Sequence, residues 1–210
     1  MRAIRERGRA CIQSAHSSVA DAEYLELVIM YPFATRLQAV LPAVKDWIDQ
    51  TLQAHVNAAS LVSRSGYVRL QEHYPDALLA KTRVVVVPRV PFPPVSQLGL
   101  PEFRAMETMP LAGVTYKDTF FVASGQQQDS LYFHELVHVV QWARLGVDNF
   151  LYAYAIGLLQ YGYHQTPLEQ MAIQLQARFN QQRVPENLVE FINEQTDGVW
   201  AAARRILGAS

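Results

Sequence analysis

The sequence predicts an α+β fold: a mainly helical domain with a small β-sheet next to one helix that carries two histidines. Three observations predict this arrangement. Apolar residues recur at helical spacing over much of the 210-residue chain. Two segments, 83–87 and 113–122, are rich instead in β-branched and aromatic residues, which is typical of strands. The pair His134 and His138 lies among apolar residues that follow the helical i, i+3, i+4, i+7 pattern.

The first part of the chain is predicted to be helical up to the first strand. Residues 19–62 carry apolar helix faces in two or three pieces. Pro32 and Pro42 are expected at breaks or in first turns, because proline removes a backbone hydrogen bond inside a helix. One further short helix is expected over residues 68–79, after the turn at Ser65-Gly66.

The second part of the chain alternates strands and helices. The strand at 83–87 ends at Pro88, and a proline-rich extended connection follows. Segment 113–122 predicts two short strands around a turn at Lys117-Asp118. Asp129 or Ser130 is expected to cap the start of the helix with the histidine pair, and that helix is expected to end near Gly146. Further helices are expected at 150–159, 166–180 and 188–206.

The pentapeptide His134-Glu135-Leu136-Val137-His138 has the H-E-x-x-H pattern. On a helix, residues four apart lie about 40° apart around the axis, so both imidazoles can reach one metal ion. Glu135 lies about 100° round from His134, beside the metal, where it can accept a proton from water. This spacing indicates a catalytic zinc site, although an amphipathic helix with two incidental histidines would show the same letters.

A catalytic zinc usually has a third protein ligand. The extension H-E-x-x-H-x-x-G-x-x-H is not present, because Gln141 and Arg144 occupy its glycine and final histidine positions. Glu169 offers a ligand from a later helix. Thr166 and Glu169 also fit a capping box, in which the glutamate would bond back to the start of its own helix.

Three side chains between the two helices are further candidates. His164 is an alternative third ligand, and it could equally hydrogen-bond a developing oxyanion. Tyr161 and Tyr163 could do the same, although loop tyrosines more often simply pack. We therefore predict catalytic contributions from Glu135, His164 and Tyr163.

These residues resemble the gluzincin type of zinc metallopeptidase, and in particular small bacterial minigluzincin-like proteins. The resemblance rests on 134–141 and 166–172 and covers about residues 112 to 180. It implies a zincin-like domain in which His134, His138 and Glu169 bind Zn2+ and Glu135 is the general base for cleavage of a peptide or protein. It also implies a strand beside the site that pairs with extended substrate. Thr166 and Met171 depart from the pattern, which often has Asn and an acidic residue there.

Composition limits the type of protein, its partners and its cellular compartment. Half of the residues are apolar and 18% are charged, which predicts a globular core and some apolar surface for a protein partner. The net charge of −1 gives no case for nucleic-acid binding, and no segment is long enough to span a membrane. A single cysteine, Cys11, excludes an intramolecular disulfide and a cysteine-based zinc ribbon, and it favours the cytoplasm.

We expect residues 1–82 to form an N-terminal helical region that packs on a catalytic region at 83–210, as one compact unit. Two alternatives to a peptidase stay open. The chain could be a zincin-fold interaction module with weak or no peptidase activity. It could also be a helical protein whose histidine pair only packs.

Overall fold

The chain adopts a mixed α+β fold in which helices surround a four-stranded sheet. The computed structural model describes residues 32–208, so the expectations for Cys11 and for the helical pieces before residue 32 lie outside the described residues. The elements in chain order are α1 (32–54), β1 (Ser60–Leu61), α2 (Val68–Gln71), α3 (Asp76–Lys81), β2 (Arg83–Val87), α4 (Val95–Leu98), α5 (Arg104–Thr108), β3 (Gly113–Tyr116), β4 (Thr119–Ala123), α6 (Asp129–Tyr161), α7 (Pro167–Asn180) and α8 (Leu188–Ile206).

The sheet has the strand order β1-β2-β4-β3, so β3 is an edge strand. β2 and β4 run parallel, and β3 and β4 form an antiparallel hairpin that turns at Lys117-Asp118. Alternate residues of a strand face opposite sides of a sheet. Accordingly, Phe121 packs in one hydrophobic core with α1, whereas Phe120 packs in a second core with α7 and α8. The predicted strands at 83–87 and 113–122 are confirmed.

The N-terminal region differs from the prediction in two places. Pro42 lies inside α1, which is helical without interruption from residue 32 to residue 54, so the expected break there is wrong. An internal proline costs about 3 kcal/mol in a helix, and burial of Leu37, Val44 and Ile48 on one face opposes that cost. The single helix expected over 68–79 is instead two short helices, because α3 starts only after Pro75.

The long helix α6 consists of two helical halves. Gly146 has the non-helical angles φ 71° and ψ 174°, which an L side chain rarely adopts. The prediction that the first half ends near Gly146 is therefore confirmed. The first half carries the histidine pair, and the second half contains the apolar run 150–159. Within residues 32–208, no helix is long and apolar enough to cross a membrane.

Candidate metal centre

Helices α6 and α7 bring three buried side chains together. The Nε2 atoms of His134 and His138, one helical turn apart, lie 3.2 Å from each other. Glu169, in the first turn of α7, reaches both rings: Oε1 lies 3.3 Å from Nε2 of His134, and Oε2 lies 3.3 Å from Nε2 of His138. All three residues are at least nine-tenths buried. We call them the triad.

The triad fits a divalent metal ion. In a tetrahedral site with metal–ligand distances of about 2.0–2.1 Å, neighbouring ligand atoms lie roughly 3.3–3.4 Å apart. The two Nε2 atoms are 3.2 Å apart, and each lies 3.3 Å from a different carboxylate oxygen of Glu169, so each of these pairs is close to such an edge. One potential ligand atom from each residue lies within 4.8 Å of the others. The two imidazoles and the carboxylate could therefore hold a metal ion.

Glu169 does not form the alternative capping box. Within the described residues, α7 has no side-chain cap, and the hydroxyl of Thr166 donates to the backbone oxygen of Gly162 at 2.8 Å. The carboxylate of Glu169 turns to the histidines and also accepts a hydrogen bond from the hydroxyl of Tyr154 at 3.2 Å. Thr166 precedes α7 and Pro167 begins it, as predicted.

Glu135 lies beside the triad and is 2% exposed. The hydroxyl of Thr115, on β3, donates to Oε2 of Glu135 at 2.7 Å. Burial raises the pKa of this carboxyl; the positive charges of His134 and His138 and the Thr115 hydrogen bond oppose that shift without cancelling it. A carboxylate whose pKa is raised toward neutrality is better suited to accept a proton and return it.

The strand β3 approaches Glu135 closely at Gly113. A Cβ atom at this position would lie 2.3 Å from Oε1 and 2.9 Å from Cδ of Glu135. Gly113 is not among the residues with positive φ, so the backbone does not require a glycine there. The missing side chain therefore makes room for the Glu135 carboxylate.

A buried glutamine orients one of the two imidazoles. Nδ1 of His138 lies 2.8 Å from Oε1 of Gln141, and Nε2 of Gln141 donates to the backbone oxygen of Leu168 at 3.1 Å. This arrangement places the proton of His138 on Nδ1 and leaves Nε2 to face the other two ligands. The same glutamine also links the histidine helix to the first turn of α7.

Charges in the triad are strongly coupled. Burial lowers the pKa of His138, but the hydrogen bond and negative charge of Glu169 outweigh it and raise that pKa to about 9. Burial raises the pKa of Glu169, but its hydrogen bonds to the two histidines outweigh it and hold that pKa well below its usual range. The carboxylate thus favours positive charge at His138, and a bound cation would take the place of that proton.

A largely apolar cavity opens onto the triad. It has about 940 Å³ of empty space, including its open mouth. Its walls come from α1, from the segment 92–116 and from both halves of α6.

The structure brings one of the three candidates between α6 and α7 to this cavity. Tyr163 lines it, and burial together with the charge of Glu169 raises the pKa of its phenol. His164 and Tyr161 are exposed, and neither belongs to the cavity lining formed by the described residues. The predicted roles of His164 therefore gain no support from its position.

The comparisons find nothing similar to this chain. No family model, no curated protein and no solved structure matches it. The resemblance to gluzincins consequently rests on the motif residues and on the triad they form.

Sequence reasoning missed three side chains at the site. Gln141 follows His138 by three residues, a spacing at which helical side chains meet, so a signal for it was present. Tyr154 sits within an apolar run, and Thr115 alternates with apolar residues in a strand. Only the packing of β3 and of the second half of α6 against the triad reveals their contacts.

Proposed function

We propose that this chain is a zinc-dependent hydrolase, most simply a metallopeptidase with a zincin-like domain of the gluzincin type. The observation that carries the proposal is the buried triad of His134, His138 and Glu169 with Glu135 beside it, in the lining of a cavity. Two imidazoles and one carboxylate are a common ligand set of catalytic zinc.

The metal, when bound, supplies a Lewis acid that lowers the pKa of water and polarises a carbonyl group. In our proposal, Glu135 accepts the proton of the attacking water and then delivers it to the leaving amine. Thr115 holds the carboxylate of Glu135 in place through its 2.7 Å hydrogen bond, and the burial of Glu135 favours return of the proton.

Two tyrosine hydroxyls near the triad have roles in the proposed reaction. Tyr163 lines the cavity, and burial keeps its phenol protonated, so it can donate to negative charge that develops on the substrate oxygen. Tyr154 donates to Glu169 and thereby orients a ligand. We assign Tyr163 the oxyanion role that His164 and Tyr161 also had as candidates.

The proposal is tested by metal content and hydrolysis of a broad peptide and amide panel. We expect about one zinc per chain, lost in Glu169→Gln and kept in Glu135→Gln. Glu135→Gln should abolish hydrolysis, because the amide cannot accept the proton. The exposed Glu186 provides the matched control, since Glu186→Gln should change neither property.

Two outcomes would contradict parts of the proposal. If no metal binds after zinc is added back, the hydrolase proposal fails and the histidine pair only packs. If zinc binds stoichiometrically but no substrate of the panel is cleaved, the result supports the alternative of a zinc-binding interaction module.

A further inference from the structure

One apolar part of the cavity is lined by α1, and we call this part the channel. Leu37, Leu41, Val44 and Ile48 line it from successive turns of that helix. Ile48 follows Leu37 by eleven positions, a rise of about 16 Å along a helix, so this wall is longer than any one amino-acid side chain. The second half of α6 also lines the cavity, with Phe150 and Ala155 among its residues. Apart from Tyr154, whose hydroxyl donates to Glu169, the side chains that these two helical segments contribute offer no hydrogen bond.

Apart from Tyr163, to which we assign the oxyanion, the hydroxyl groups that line the cavity are already engaged. Among the described residues, the charged groups in its lining are the triad and Glu135. Thr115 donates to Glu135, Tyr116 donates to the backbone oxygen of Pro91 at 2.9 Å, and Tyr154 donates to Glu169. A peptide backbone in this cavity would therefore lose its hydrogen bonds to water without replacing them. Each unpaired backbone group would lower the binding affinity about 5- to 150-fold.

Strand addition at the edge of the sheet is also hindered. The indole nitrogen of Trp142 donates to the backbone oxygen of Thr115 at 3.1 Å. This oxygen points away from β4, along the free edge of β3 where an added strand would bind. Because Trp142 already donates to this oxygen, an added strand would have to share the acceptor, which disfavours the extended peptide that the sequence led us to expect.

We propose that the channel holds the straight hydrocarbon chain of an acyl group whose carbonyl lies at the triad, so that the substrates are long-chain N-acyl amides. This inference rests on the proposed hydrolase function. In the reaction, the C–N bond of the amide breaks and a C–O bond to water forms. One proton of the water passes through Glu135 to the nitrogen. The products are a fatty acid and an amine.

Binding to the metal-free full-length protein tests the channel without any catalysis. Straight-chain primary amides of four to twelve carbons are titrated by calorimetry, or by the intrinsic tryptophan fluorescence, to which Trp142 in the cavity lining contributes. We expect affinity to rise about fourfold for each added methylene, because about 0.8 kcal/mol is gained per buried CH₂. Amides of N-acetyl-leucine and N-acetyl-phenylalanine should bind no better than the four-carbon amide. Equal affinity along the series, or equal binding of these amino-acid amides and the twelve-carbon amide, would overturn the proposal.

Two substitutions of alanine by leucine, one in the channel and one on the surface, test where the hydrocarbon chain of the amide binds. Ala155→Leu adds bulk to the wall of the channel, whereas Ala39→Leu adds the same group at an exposed position of α1. We expect Ala155→Leu to reduce binding of the twelve-carbon amide at least tenfold and to leave the four-carbon amide unchanged. Ala39→Leu should change neither. If Ala155→Leu does not fold, Leu41→Gln provides the second test, with the same preferential loss of the long chain.

Hydrolysis by the zinc-loaded protein separates this inference from the proposed function. If kcat/KM also rises with acyl length, both the hydrolase function and the acyl-chain assignment are supported. If the affinity series rises but no amide is cleaved, the hydrolase function and the substrate assignment fail, and only the channel remains. If peptides are cleaved without any dependence on acyl length, the hydrolase stands and the acyl-chain assignment is refuted.

Discussion

Gly113 allows a sharp test of the role of Glu135. Gly113→Ala would introduce a Cβ atom 2.3 Å from Oε1 of Glu135, and ordinary van der Waals contact begins at 3.4 Å. The carboxylate must therefore retreat by about 1 Å, and a misplacement of that size costs roughly 10²-fold in rate. Since the clash involves only the end of a flexible side chain, we expect the free energy of unfolding to change by no more than about 1–2 kcal/mol.

The assay combines kcat/KM on a cleaved amide with zinc content and thermal unfolding. Gly198→Ala is the matched control, because a Cβ atom at Gly198 meets nothing within 4 Å. That variant should keep full activity and gain up to about 1 kcal/mol of stability from better helix propensity. Wild-type kcat/KM in folded, zinc-loaded Gly113→Ala would refute the assignment of Glu135 as general base. Loss of zinc would show that Gly113 acts on the ligands instead.

Three further predictions concern the surroundings of the triad. Gly157→Ala would place a Cβ atom 2.9 Å from Cγ2 of Thr166, so it should push the start of α7 away and weaken zinc affinity at least tenfold, measured with a competing chelator. Thr115→Val removes a hydrogen bond that lowers the pKa of Glu135; the acid limb of kcat/KM should move to higher pH, whereas Thr115→Ser should keep it in place. The pKa of His138 is raised to about 9 from an ordinary 6.5, so protonation of this imidazole stabilises the metal-free folded protein. The whole of this contribution is present below pH 6.5. That stability, up to about 3 kcal/mol, should be lost between pH 6.5 and 9 in chemical denaturation, and His138→Gln should remove the dependence.

The sequence was sufficient for the elements whose signals are local. The strands at 83–87 and 113–122, the helix of the histidine pair and its break at Gly146 all follow from residue type and spacing. The place of Glu169 in the first turn of α7 also follows, because Thr166 and Pro167 mark the start of that helix. These features depend on neighbours within one or two turns of the chain.

Features that depend on docking between distant elements could not be predicted. The continuation of α1 through Pro42 depends on the core against which the helix packs. The hydrogen bond from Tyr154 to Glu169 depends on the angle between the halves of α6, which the backbone of Gly146 sets. The sequence around Glu169 also fits both a capping box and a metal ligand, so it does not decide whether this side chain caps its helix or faces the histidines.

The break at Gly146 also determines where the chain tolerates changes in length. One residue inserted between His138 and Gly146 would rotate everything beyond it by about 100° and move it along the axis by about 1.5 Å. The hydroxyl of Tyr154 would then lose its hydrogen bond to Glu169, and the cavity would lose the side chains that the second half of α6 contributes. The connection 181–187, which joins α7 to α8, carries no such angular constraint. Length variation in homologous chains should therefore accumulate in 181–187 and be absent from 139–146.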